Sequence, residues 1–188
     1  MKSSSLRKIT LEGRIKLGIT TALLVYSIIV SCVERGYVCV PMLFSFCGDI
    51  SLMKKRDCFN NRSEDDFRRG VLFFMLAHIS YAIIMRSPEK IWIIDCMIMV
   101  AMLLMLLSLL EIKKDIIAIT LYGIVLTLSA INMYHYNMVS FIGIMLFVFS
   151  DFLIALFMLL KKDEYITQVL IWVTYVPAQI LILTSFLL

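Results

Sequence analysis

The chain alternates between long apolar runs and short charged breaks. Apolar stretches cover 17–33, 37–53, 67–85, 91–110, 116–133, 138–160 and 165 to the C-terminus. Each is about 17 to 24 residues, the length a helix needs to cross about 30 Å of hydrocarbon at 1.5 Å per residue. The pattern predicts an all-α fold, a polytopic transmembrane helix bundle of about seven spans. Residues 1–16 read as a cytoplasmic N-terminal tail and 17–188 as a single transmembrane helical domain.

The breaks carry their own signals. Glu34-Arg35-Gly36 is so short that the second run must return antiparallel to the first. Lys54-Lys55-Arg56 follow the second run, where a helix C-terminus is electronegative. Ser63 to Asp66 reads as a capping box ahead of the third span. Ser87-Pro88-Glu89 marks the start of the fourth, with Ser as N-cap and Pro at the first helical position. A basic start before an apolar run also fits a signal peptide, but no small-x-small cleavage site closes 17–33, so this run is read as the first span.

Charge then tests the map. Of the 18 Lys and Arg residues, 15 fall in the tail, the 54–69 loop and the breaks at 113–114 and 161–162; the other side holds only Arg35, Arg86 and Lys90. The positive-inside rule places the N-terminus in the cytoplasm and, with an odd number of spans, the C-terminus outside. The net charge of +4 is therefore topology information, and no nucleic-acid partner is expected. Composition agrees: the chain is 61% hydrophobic with a mean hydropathy of +0.93, against about 45–50% apolar in soluble domains. The five cysteines, Cys32, Cys39, Cys47, Cys58 and Cys96, lack CxxC spacing and read as small buried hydrophobes rather than a disulfide framework or metal site.

Against this background the polar residues inside spans stand out. Asp49 sits in Phe44-Ser45-Phe46-Cys47-Gly48-Asp49, and Asp151 in Phe149-Ser150-Asp151. An acid in a span costs about 2.5 to 3.5 kcal/mol on insertion scales and marks function by default. Ser45 and Asp49 are i and i+4 on one helical face. Gly70, Phe74, Ala77, His78 and Tyr81 form one stripe on the third span, and Tyr175 and Gln179 share a face of the seventh, with Pro177 between them expected to kink the helix. Counted from the cytoplasmic ends, Asp49, His78 and Asp151 lie at depths of roughly 8, 12 and 15 Å. Tyr81, Ser45, Ser150 and Gln179 are within reach as hydrogen-bond partners. Two carboxyls sharing a dry site do not both ionise readily, which supplies an acid beside a carboxylate. The bland alternative is that these groups only pack helices together.

Other polar positions fit structural roles. Asp95 is close enough to the outer end of the fourth span to reach interfacial water. His135, between Tyr134 and Tyr136, sits in an outer turn where aromatic residues anchor to headgroups. Asn132 and Tyr122 line a cavity or bond across helices, and the Met-rich fourth span serves packing.

Taken in order, Phe44-Ser45-x-x-Gly48-Asp49, Gly70-x-x-x-Phe74-x-x-Ala77-His78-x-x-Tyr81, Gly143 through Phe149-Ser150-Asp151 with Ala155, and Tyr175-x-x-Ala178-Gln179 resemble the motifs of the YhhN family of lysoplasmalogenase-like membrane proteins. The resemblance covers about residues 37 to 182. It implies an all-helical membrane bundle that hydrolyses the vinyl ether bond of lysoplasmalogens to a fatty aldehyde and a glycerophospho-alcohol. Asp49 and Asp151 would be the catalytic acids, with Ser45, His78, Tyr81, Ser150, Tyr175 and Gln179 in support. The implied partners are a lysophospholipid substrate and the surrounding membrane lipids; no metal or other cofactor is required. Family members often have eight spans, so an early family helix is expected to be missing here.

Two other readings compete. Seven-helix zinc amidases share the helix count, but need several histidines, and His78 alone lies at a suitable depth. A non-enzymatic lipid or proton-coupled transporter or sensor would use the same acids as a relay; beyond the Phe-Ser…Asp echo between spans two and six, no inverted repeat supports it.

Overall fold

The computed structural model describes residues 11–34, 36–53, 64–85, 114–160 and 164–188. These form α1 (Leu11–Glu34), α2 (Cys39–Met53), α3 (Glu64–Ile84), α4 (Lys114–Tyr136), α5 (Met138–Leu160) and α6 (Glu164–Thr184), followed by a 3-10 turn at Ser185–Leu187. No strand occurs among the described residues. Every expected apolar run but one is carried by a helix. The exception, 91–110, lies outside the described residues together with Asp95, Cys58, Cys96, the Ser63 cap and the Ser87-Pro88 start. α1 begins at Leu11, ahead of the expected run, and α6 passes through Pro177 without interruption.

Short connections dictate the packing. Gly36 N–H returns to the Ser31 carbonyl at 3.1 Å and closes α1. The Ser31 hydroxyl then accepts from Cys39 N–H at 2.7 Å, satisfying a free donor at the start of α2. Asn137 alone separates α4 from α5. Its Oδ1 accepts from Ser140 N–H at 2.8 Å as an N-cap, and its Nδ2 donates to the Ser185 carbonyl at 2.9 Å. The helices close into a ring: α1 packs on α2 and α6, and α2 on α3, α3 on α4, α4 on α5 and α5 on α6 complete the circuit.

The ring buries polar side chains beside its apolar core and shows apolar ones outside. Thr20, Ser27, Ser45, Asp49, His78, Ser129, Asn132, Ser150 and Gln179 are buried, whereas Ile28, Ile29 and Val33 of α1, Met145, Phe149 and Phe152 of α5, and Val169 and Val173 of α6 face outward. A water-soluble bundle does not keep its polar groups inside and display apolar side chains on several helices; a lipid-facing one does. Arg14–Glu34 and Val169–Leu187 are long and apolar enough to cross a membrane, and Cys39–Leu52 and Met138–Ile154 are apolar over shorter lengths. The cysteines depart from expectation. Cys32 is exposed and Cys39 and Cys47 are half-buried, all three as free thiols, because an outward thiol costs little where the surroundings are apolar.

A candidate active site inside the helix ring

Close helix contact starts with small residues. A Cβ on Gly143 would come within 2.8 Å of Ile182 Cγ1, 3.0 Å of its backbone nitrogen and 3.1 Å of the Ala178 carbonyl, so α5 and α6 touch backbone to backbone. A Cβ on Gly48 would meet the Phe74 ring at 2.8 Å, which seats that ring directly against α2 beside Asp49. These two approaches bring the inner faces of α2, α3, α5 and α6 together.

Each carboxyl is held by a tyrosine from another helix. Tyr175 of α6 donates to Asp49 Oδ2 at 2.8 Å. Tyr122 of α4 donates to Asp151 Oδ2 of α5. Asp49 is buried, Asp151 is half-buried, and the two are close enough to repel one another electrostatically. The result is a pair of Tyr–Asp units built from four helices.

A polar chain extends from the first unit. Gln179 Nε2 donates to the Tyr175 hydroxyl at 3.3 Å and to Ser45 Oγ at 3.5 Å, and its Oε1 accepts from Tyr81 at 3.4 Å. These bonds are long and individually weak, yet they tie α2, α3 and α6 together around Asp49. Aromatic rings wall the site. Phe147 lies edge-on to Tyr175 at 5.5 Å and to Phe74 at 5.9 Å, and Trp172 packs on Tyr175 at 5.6 Å with Lys16 over its own ring.

The residues expected from sequence distribute as follows. Ser45, Asp49, Tyr81, Tyr175 and Gln179 share one network. Gly70, Phe74, Ala77, His78 and Tyr81 all point inward as the expected stripe. His78 bonds neither carboxyl: both its ring nitrogens are unpartnered, and the ring stands 4.6 Å edge-on from Phe147. Ser150 turns away from the acids and donates to the Ile171 carbonyl at 3.3 Å. Tyr134 and Tyr136 are exposed at the end of α4, flanking His135. Asn132 bonds across helices, from its Nδ2 to the Ala82 carbonyl at 3.4 Å.

Tyr122 and Phe147 carry more of the site than their sequence positions suggest. A signal was present for both. Phe147 precedes Asp151 by four residues, hence shares its face, and Tyr122 heads a line with Leu126, Ser129 and Met133, all buried, along α4. Among the described residues no group of three or more His, Cys, Asp or Glu side chains is placed to hold a metal ion. The arrangement sets two carboxyls, each with a phenol partner, among packed aromatic rings.

In comparisons with known proteins, the YhhN family model matches residues 14–186. No curated protein and no solved structure matches the chain.

Proposed function

The chain belongs to the YhhN family, and from that premise we propose that it is a multi-pass membrane hydrolase cleaving the vinyl ether bond of lysoplasmalogen-type lysophospholipids. The observation that carries this reading is the presence of two Tyr–Asp units inside the helix ring. Vinyl ether hydrolysis needs a proton delivered to carbon and a nearby negative charge to stabilise the oxocarbenium ion that forms. One carboxyl, as the acid, protonates the carbon distal to the ether oxygen. The other, ionised, stabilises the cation and takes a proton from the attacking water. The hemiacetal so formed collapses to a fatty aldehyde and a glycerophospho-alcohol, consuming one water overall.

The remaining assignments follow from the same reading. Seven spans, with 91–110 as the fourth, put the N-terminus in the cytoplasm and the acids in the cytoplasmic half of the bilayer, where a lysophospholipid enters from the surrounding leaflet. Tyr175 and Tyr122 orient the two carboxyls, and Gln179 braces Tyr175.

The test is aldehyde release from a lysoplasmalogen by the purified protein, beside Asp49→Asn and Asp151→Asn, each repeated with a chelator. Chelator-resistant release that disappears in both variants supports the two-acid mechanism. A well-folded wild type that releases no aldehyde sinks the substrate assignment and favours the transporter or sensor.

A further inference from the structure

A groove of about 390 Å³ runs between α1 and α6 on the outside of the ring, lined by Ile19, Ala22, Leu23, Tyr26, Val176 and Ile180. Ala22 and Ile180 are exposed, so it opens away from the acids. Its size lies within the roughly 300–1,000 Å³ of ligand clefts. The lining side chains are hydrocarbon except for the Tyr26 phenol, and that hydroxyl is bonded to Thr184 Oγ1 at 3.1 Å. The other end is different. Lys16 on α1 and Trp172 on α6 stand one turn ahead of Ile19 and Val176 and so share the face that lines the groove. They meet there, with Lys16 Nζ 5.6 Å from the centre of the Trp172 ring. The two pairs, Lys16 with Trp172 and Tyr26 with Thr184, show that α1 and α6 run side by side in the same direction. The Lys–Trp end is therefore the one that follows the basic tail, where Lys2, Arg7, Lys8 and Arg14 stand against Glu12.

We propose that this groove binds one chain of an anionic phospholipid, with the lipid phosphate held at Lys16. Hydrocarbon along the groove and a cation at one end match the two parts of such a lipid, whereas an apolar partner helix would match the lining and not the cation. Basic pockets between spans bind anionic headgroups on the side that the positive-inside rule makes cytoplasmic. Tryptophan is enriched at that same headgroup level. A lysine stem lies along apolar surface while its ammonium reaches the headgroups, and with three donors that ammonium takes a phosphate oxygen in addition to its partners within the protein. Phosphatidylcholine brings its phosphate beside a cation of its own, so Lys16 favours the lipid with net negative charge. None of these residues belongs to either Tyr–Asp unit, and the site stands whether or not the hydrolase reading does.

Trp172 supplies the readout. The chain carries two tryptophans, and Trp92→Phe leaves Trp172 as the only one. That chain, in phosphatidylcholine vesicles, is titrated with phosphatidylglycerol or phosphatidylcholine bearing brominated chains, which quench a tryptophan they touch. One cation near the membrane surface contributes about fivefold to the binding of an anionic lipid, so phosphatidylglycerol is expected to quench Trp172 at about a fivefold lower fraction. Lys16→Gln should abolish the difference and Lys16→Arg should keep it. Ala22→Phe fills the groove and should weaken quenching by both lipids, whereas Val25→Phe, on an exposed face of α1 outside the lining, should not. Equal quenching of the parent chain by the two lipids overturns the inference, and that comparison decides even where a variant does not fold. A preference that survives Lys16→Gln, or quenching unchanged in Ala22→Phe, overturns it as well. No quenching by either lipid would mean that another protein surface covers the groove, and likewise overturns it.

Discussion

Tyr175 and Asp49 lie 126 positions apart in sequence and meet at 2.8 Å, hydroxyl to carboxyl. The bond crosses from α6 to α2, two helices that are not neighbours around the ring, so it spans the interior. Tyr122 and Asp151 repeat the arrangement between α4 and α5. Each acid therefore depends on a helix other than its own for its orientation.

Removing either phenol should disable its acid without unfolding the bundle. Tyr175→Phe and Tyr122→Phe each delete one bond to a carboxyl and leave the ring packing intact. A hydrogen bond to a charged group contributes about 1.5–3 kcal/mol, so aldehyde release is expected to fall by roughly ten- to 150-fold. The melting temperature should fall by several degrees, with both variants still folded at the assay temperature. Initial rates and thermal melts of the two variants check this; full activity in both would remove the tyrosines from the reading.

The glycines separate contact from mere flexibility. Gly143→Ala forces a Cβ against backbone atoms of Ile182 and Ala178, and overpacking of this kind costs about 1–3 kcal/mol. Because Ala178 adjoins Gln179, activity should fall along with the melting temperature. Gly123 on α4 is exposed and has nothing within 4 Å of a Cβ. There Gly123→Ala should stabilise the helix by about 0.5–1 kcal/mol. Opposite shifts in thermal unfolding are the expected result.

Most helix boundaries were legible because charged breaks interrupt uniform apolar runs. Met138 to Leu160 is a helix over the same residues as the expected run. The inward faces were legible too, since Phe74, Ala77, His78 and Tyr81 recur at helical spacing. Which side chain each acid would meet was not, because that depends on how the helices rotate about their axes, and apolar runs fix no rotation. Tyr122 thus read as one of several polar residues, and His78 as a partner for the acids when the structure leaves it unbonded. The cysteines misled for a related reason: burial trends learned in water do not transfer to a surface that faces lipid.

Asn137 should govern stability and not chemistry. It caps α5 through Ser140 and holds the C-terminal turn through Ser185, while Tyr136 packs on Phe186 beside it at 5.6 Å. Asn137→Ala removes both bonds, and loss of an N-cap alone costs about 1 kcal/mol. A lower melting temperature with unchanged aldehyde release well below the melt is expected. A large drop in rate at low temperature would instead couple this end of the bundle to the acids.

The parity of the spans can be read at the C-terminus. Six of the seven expected runs are helices among the described residues, and if each crosses, the run at 91–110 decides whether the chain ends on the side where it began. If that run crosses, all four basic segments fall on one face, and the 15-to-3 split of Lys and Arg is accounted for. If it does not, Lys113–Lys114 and Lys161–Lys162 are both carried to the outer face, against the positive-inside bias. Reporters fused to each end of the chain distinguish the two cases: the N-terminal reporter should be cytoplasmic and the C-terminal one external. Finding both in the cytoplasm would remove 91–110 from the bilayer and overturn the seven-span reading.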